Sequence, residues 1–190
     1  MLAGQAGDAL IDSYHHERHA AAVENLRITS RTARFLAPRS AAEHRLRRAV
    51  VALARKHEFA RRIANTGRMA QANAYPPSPC APAGATSLQN VAGDGTTVMR
   101  LLGEGTRFLG LWLGATREQV AALNDAIGPR WPIAVQAIDA AGALARHLGA
   151  GAGSFFLIRP DAYVAAGIEA PTPARVEAAL RQALARDVAA

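Results

Sequence analysis

The sequence predicts an α/β protein in which a helical N-terminal segment precedes a domain of alternating strands and helices. Three observations carry this expectation. Residues 8–65 contain no glycine and a single proline, Pro38, and their apolar residues recur at helical spacing. Residues 73–87, "NAYPPSPCAPAGATS", then hold four prolines, the composition of an extended surface-running segment. From about residue 97 onward, short β-branched and aromatic runs alternate with amphipathic helical runs.

The helical segment, 1–72, reads as two long helices. Leu10, Ile11, Tyr14, Val23 and Leu26 mark the first, over 8–36; Leu46, Val50, Leu53 and Ala54 mark the second, over 40–65. Pro38 breaks the chain between them, and Ser40 with Glu43 three residues on forms a capping box for the second. A linker is expected over 73–96, and a third section over 97–190. In that section "RFLGLWL" (107–113) predicts a strand, and "TREQVAALNDAIG" (116–128) a helix with Thr116 as N-cap and Gly128 past its end. "PIAVQAID" (132–139) predicts a second strand, "GALARHLG" (142–149) a short helix, "SFFLIRP" (154–160) a third strand and "YVAAG" (163–167) a fourth. A last amphipathic helix spans 172–188, with Thr172 at the cap and Pro173 at the first helical position. The order β-α-β-α-β-β-α, a βαβ unit followed by a hairpin and a closing helix, is the thioredoxin-like arrangement. The fold class is therefore α/β, an N-terminal helical segment followed by a thioredoxin-like α/β domain without CxxC. Its expected core is Phe108, Leu111, Leu113, Val120, Leu123, Ile133, Val135, Ile138, Phe156, Ile158, Val164, Val176 and Leu180.

Composition excludes several classes. The chain of 190 residues is half apolar, long enough to bury a core. It has no run of 18 apolar residues, and "MLAGQAGDALIDSY" lacks the basic-then-apolar order of a signal peptide, so no membrane association and a cytoplasmic location are expected. The net charge of +7 suggests a polyanion partner at first sight. Yet 21 of the 22 cations are arginine, a skew that with the many alanines reads as GC-rich coding. The charge is also uneven: residues 1–75 hold 13 Lys/Arg against 6 Asp/Glu, residues 76–190 hold 9 against 9. The first part is thus a polyanion surface or a face for an acidic partner.

Candidate chemistry is sparse. "YHHERH" (14–19) places His15 and His19 four apart, but a zincin helix needs the glutamate beside the first histidine. Glu17 lies two residues on, about 200° around a helix, so the stretch reads as a solvated or interface-facing polar stripe. No third ligand is suggested, and no metal is expected. "GAGAG" (149–153) follows a helix and precedes a strand, the reverse of a dinucleotide loop, and "GDGTT" (93–97) has no strand before it. Redox cysteines would sit near Leu113–Arg117, where the chain reads "LGATR"; the lone Cys80 is in the linker, and no proline precedes the third core strand. No serine has a recognisable His and acid arrangement. No catalytic or cofactor-binding residue is assigned.

Two stretches carry a family likeness. "ALIDSYHHERHAAAVENLRITSRTARFLAP" (9–38) resembles the helix that follows the last flavin-binding motif of FAD-dependent aromatic-ring hydroxylases. Leu10, Ile11, Asp12, Ser13, Tyr14, Glu17 and Arg18 match its "LLDSYxxERRP"-like run, and His19 and Ala20 depart from the usual Arg-Pro. "RPDAYVA" (159–165) resembles the hairpin that closes the thioredoxin-like C-terminal domain of the phenol hydroxylase branch, with Ala162 in place of a common glycine. The resemblance implies the C-terminal part of such a monooxygenase: a structural or dimerisation portion, not catalytically competent alone, with the FAD and NAD(P)H chemistry upstream of it. Its implied partners are a second copy or a flavin-bearing chain, met through Leu10, Ile11, Tyr14, Leu26, Phe35, Leu46 and Val50. The alternative from the residues alone is a small basic module that contacts nucleic acid or another polyanion. The arginines of the second helix spread around it and few aromatics accompany them, which makes nucleic acid the weaker reading.

Overall fold

A computed structural model describes residues 6–64, 72–88, 92–93, 96–103 and 106–186. The first helix, α1, runs Ala9–Leu36. The helix expected over 40–65 is instead two, α2 (Ala41–Ala54) and α3 (Glu58–Ala64). Ser40 and Glu43 form the expected capping box. The break after Ala54 needs neither glycine nor proline. Arg61 Nε donates to Ala54 O at 2.9 Å, which satisfies a terminal carbonyl of α2 from outside the helix ladder.

The sheet domain follows the expected order. Strand β3 (Phe108–Leu113) pairs in parallel with β4 (Ile133–Ile138), and antiparallel with β5 (Ser154–Ile158), which pairs antiparallel with β6 (Val164–Glu169). The spatial order is β4-β3-β5-β6. Helices α5 (Arg117–Ile127) and α7 (Pro173–Ala183) start at the Thr116 and Thr172 caps, and α6 (Ala143–Leu148) lies between β4 and β5. A two-residue ladder, β1 (Ala92–Gly93) with β2 (Thr96–Thr97), and a short helix α4 (Val98–Leu102) precede the sheet; the sequence reading had no element there. Asp94 and Gly95 of "GDGTT" lie outside the described residues, as does residue 65. Helix α7 ends at Ala183, earlier than expected. Ala185 takes a left-handed φ of 53°, and Arg186 N donates back to Arg181 O at 2.8 Å.

Both faces of the sheet are covered. Phe108, Ile133, Val135, Phe155 and Leu157 pack with Leu123 and Ile127 of α5 and with Val176 and Leu180 of α7. Leu109, Leu111 and Ile158 pack on the other side with Val98 of α4 and Leu144 of α6. The expected core residues are buried or half-buried, and Leu109, Phe155 and Leu157 join them.

Two compact units result: residues 1–17 with 74–190, and residues 18–73. The boundary falls inside α1. The stretch expected as a surface linker is structured through residue 88. Bridges join Tyr75 to Ala85 and Ser78 to Ala81, and Ser87 pairs with Tyr163 at the start of the β6 hairpin. The start of the chain also belongs to the sheet unit: Gly7 N donates to Leu184 O at 2.9 Å, and a Cβ at Gly7 would collide with Ala185 O.

Candidate functional site: a buried ion-pair cluster and an exposed basic helical face

Position Glu17 on a solvent-facing stripe and the structure corrects it. Glu17 is 2% exposed, because the first turns of α1 pack into the sheet unit. Arg159 Nη1 donates to both of its carboxylate oxygens, at 2.9 and 2.8 Å. The other edge of the same guanidinium grips Asp161, Nε to Oδ1 at 3.1 Å and Nη2 to Oδ2 at 2.7 Å. Ser13, one turn before Glu17, donates to Ser78 Oγ at 3.0 Å, and Ser78 Oγ donates to Glu17 Oε1 at 2.9 Å. Ser78 Oγ also accepts from Ala81 N at 3.1 Å, fixing the proline-rich turn on the cluster. Tyr75 and Tyr163 stack with ring centroids 4.1 Å apart, and the Arg159 guanidinium lies within 6.0 Å of both rings.

This cluster joins the two stretches singled out in the sequence, 142 positions apart, in one buried ion pair. Burial by itself would lower the Arg159 pKa; the hydrogen bonds and charge of Asp161, then of Glu17, overcome it and raise it above the ordinary arginine value. A guanidinium held this way gives no proton and accepts none. The arrangement fixes geometry and does not carry chemistry. Each member was legible as a residue; the pairing was not, because nothing in a sequence links a helix position to a hairpin position across a folded sheet.

His15, His16 and His19 are exposed around the buried Glu17. Among the described residues, no group of three or more His, Cys, Asp or Glu is placed to hold a metal. Cys80 lies within the proline-rich turn and is buried. An open cleft of about 420 Å³ lies where β3 turns into α5, lined by Trp112, Gly114, Ala115, Gln119 and Thr172 among others. The first turn of α5 is occupied by its own capping box. The amide of Gln119 at the first turn of α5 is taken by the Thr116 side chain at 3.2 Å, and Gln119 reaches back to Thr116 N at 2.8 Å. The Gly149–Gly153 loop follows α6 and enters β5, and Gly153 lines the same cleft as Gln119 of α5 and the Thr172 cap of α7.

The residues expected to meet a partner lie as follows. Ile11, Tyr14, Leu26 and Leu46 are exposed, from 55% for Ile11 to 68% for Leu26. Leu10 and Phe35 are half-buried. Val50 is turned inward, 5% exposed. Val23, Leu36, Val51, Leu53, Phe59 and Ile63 are exposed as well, and sequence periodicity did not separate them from the core. Within 18–73 the described buried residues are Val50 and Ala60. The helical unit is therefore almost all surface.

No protein-family model matches the chain, and no curated protein matches it. Solved structures do. The rebeccamycin biosynthetic enzyme RebC, solved with reduced flavin, aligns over 96% of this chain and 37% of its own at 22% identity, TM-score 0.59. Aklavinone-11 hydroxylase in complex with FAD and aklavinone aligns over 97% and 37% at 20% identity, TM-score 0.56. BexE, linked to oxidation in BE-7585A biosynthesis, aligns over 95% and 36% at 22% identity, TM-score 0.55. The chain spans less than two-fifths of the length of these proteins, and the likeness is one of fold.

Proposed function

We propose that this chain is the C-terminal portion of a flavin-dependent aromatic hydroxylase and serves it as a structural and association element. The observation that carries the reading is the extent of the fold likeness: nearly all of this chain, helices and sheet together, follows flavin enzymes such as a hydroxylase holding FAD. The sheet unit, with order β4-β3-β5-β6 and a parallel pair followed by a hairpin, is read as a thioredoxin-like domain. The LGATR turn places glycine, alanine and threonine where such a domain would carry redox thiols.

In this role the chain supplies no group to bond making. FAD, NAD(P)H and the aromatic substrate belong to a flavin-bearing segment or partner chain. The Glu17–Arg159 cluster ties the first turns of α1 to the β5–β6 hairpin within the sheet unit, and the exposed helices carry the contact surface. A homodimer and a flavin-bearing partner both fit such a surface.

Spectroscopy of the purified chain tests the reading. The protein is expected to be colourless, to take up no FAD on titration, and to leave NAD(P)H unoxidised. Stoichiometric flavin in the isolated chain would overturn the assignment of the chemistry to another segment.

A further inference from the structure

The charge of the chain is concentrated in one unit. Residues 18–73 carry 13 Lys/Arg and 3 Asp/Glu, a net charge of +10, while the remainder of the chain carries 9 and 12, a net charge of −3. With three acids, the helical unit can neutralise at most three of its own cations. All twelve of its described cations are exposed. Arg27 and Arg62 pair with Glu24 and Glu58 along their own helices, with side chains 83% and 78% exposed. The third acid, Glu43, is engaged by the backbone amides of Arg39 and Ser40.

Apolar and basic residues share this surface in a definite pattern. On α2, Leu46, Val50 and Leu53 fall within one narrow face at helical spacing; Arg45 and Arg47 flank that face and Arg48 lies behind it. Leu46 and Leu53 are 62% and 43% exposed on either side of the buried Val50. An apolar centre with a guanidinium rim is the anatomy of a protein interface, in which arginine is favoured for gripping carboxylates. A phosphate-reading surface would gather its cations along one stripe and leave the apolar face inside.

We propose that the helical unit 18–73 docks on a protein surface that is acidic at its rim and apolar at its centre. The inference rests on the association role argued above and names the chemistry of the partner. It also selects between the two partners considered there. Symmetric pairing would set one +10 unit against an identical +10 unit, and like charges across an interface oppose association. A second copy meeting through these helices is disfavoured, and a carboxylate-rich surface on another segment or chain is favoured.

The test uses the full chain and three fluorescent probes: a four-heptad helical peptide of repeating Leu-Glu-Glu-Leu-Leu-Glu-Glu, polyglutamate of equal length, and a short DNA duplex. Binding is followed by anisotropy from low to physiological salt. The Leu/Glu peptide is expected to bind tightest at physiological salt, at least about tenfold tighter than polyglutamate, and to weaken as salt rises. Changing Arg45, Arg47 and Arg48 to Gln should weaken it about tenfold, and Leu46→Ser with Leu53→Ser should do the same with charge untouched. Changing Arg117 and Arg146 to Gln in the sheet unit should leave it unchanged. Tighter binding of the duplex would make the unit a nucleic-acid surface and overturn the proposal. So would a chain that light scattering shows to be dimeric through the Leu46 and Leu53 face, or one that binds none of the probes. Flavin content is not read by this titration, so the proposal and the hydroxylase reading can fail separately.

Discussion

Glu17 is a charged residue in a core position, and its surroundings decide what it contributes. Ser78 donates to the carboxylate of the pair it forms with Arg159, and Asp161 holds the far edge of the same guanidinium. Removing Arg159 leaves the Glu17 carboxylate buried without its counter-charge, the costly case for a buried ion pair, whereas removing Glu17 leaves Arg159 paired with Asp161. Arg159→Met is expected to destabilise the sheet unit by about 3 kcal/mol, and Glu17→Ala by less. Glu17→Ala combined with Arg159→Met should cost less than the sum of the two single changes, by about 1 kcal/mol or more in a chemical-denaturation cycle. Additivity would show that the pair is not coupled. Two alanines offer a contrast in backbone terms. Ala162 and Ala170 both take left-handed φ, 64° and 48°. Ala170 is exposed, so Ala170→Gly relieves strain and is expected to stabilise by up to about 1 kcal/mol. Ala162 is fully buried, so Ala162→Gly gives up a packed methyl for the same relief and should be near neutral. The sequence flagged Ala162 as a departure from glycine, and the structure shows why that residue type matters at the turn.

At the scale of elements, the strands and caps were legible because their determinants are local. Thr116, Thr172 and Ser40 each cap the helix they were expected to cap. Glu43 completes the Ser40 box by accepting from Ser40 N at 3.3 Å; it also accepts from Arg39 N at 2.6 Å, and that second bond foremost holds its pKa below the ordinary glutamate value. A carboxylate depressed in this way contributes stability above its unfolded pKa, and the contribution is lost as pH falls through the folded value. The amide shifts of the first turn of α2 should therefore titrate at a pH below the ordinary glutamate range, and Glu43→Gln should abolish that titration. The central strand adds a steric determinant. A Cβ at Gly110 would lie 2.5 Å from Phe155 Cζ and 3.1 Å from Val135 Cγ2. Gly110→Val is expected to cost about 1–3 kcal/mol by overpacking, read as a lower denaturation midpoint with tryptophan fluorescence. What the local pattern did not show was the interruption after Ala54, where a bond from Arg61 seven residues on takes up the Ala54 carbonyl.

The whole molecule comprises two units that differ in how much they bury. The sheet unit has apolar clusters on both faces of its sheet, whereas the helical unit buries Val50 and Ala60 among its described residues and carries a net charge of +10. Helices without a packed face are marginal, and concentrated like charge lowers their stability further. Both tryptophans, Trp112 and Trp131, lie in the sheet unit, so fluorescence follows that unit alone while far-UV dichroism reads the helices of both units. Heating the isolated chain should give two transitions, the loss of helix first. Added salt should raise the earlier midpoint by screening and leave the later one nearly fixed. A single coincident transition would show that the units fold as one.

The sequence by itself determined the element order, the caps, the charge bias of the first part and the lack of a redox motif, because each is written in neighbouring residues or in composition. It did not determine which face of a strand meets solvent. The expected core already drew on both faces, Phe108 on one and Leu111 on the other, yet it passed over Leu109 and Leu157, which are covered as well because helices pack on both sides. Nor could it set the boundary between the units. Residues 74–88 look like a linker by composition and belong to the sheet unit through Tyr75, Ser78 and Ser87, while α1 is shared between units with no break in its helical pattern. The fate of Glu17 was decided in the same way. Its burial rests on Arg159 and Ser78, which reach it only after the chain has closed on itself, and long-range pairing leaves no periodic trace in the sequence.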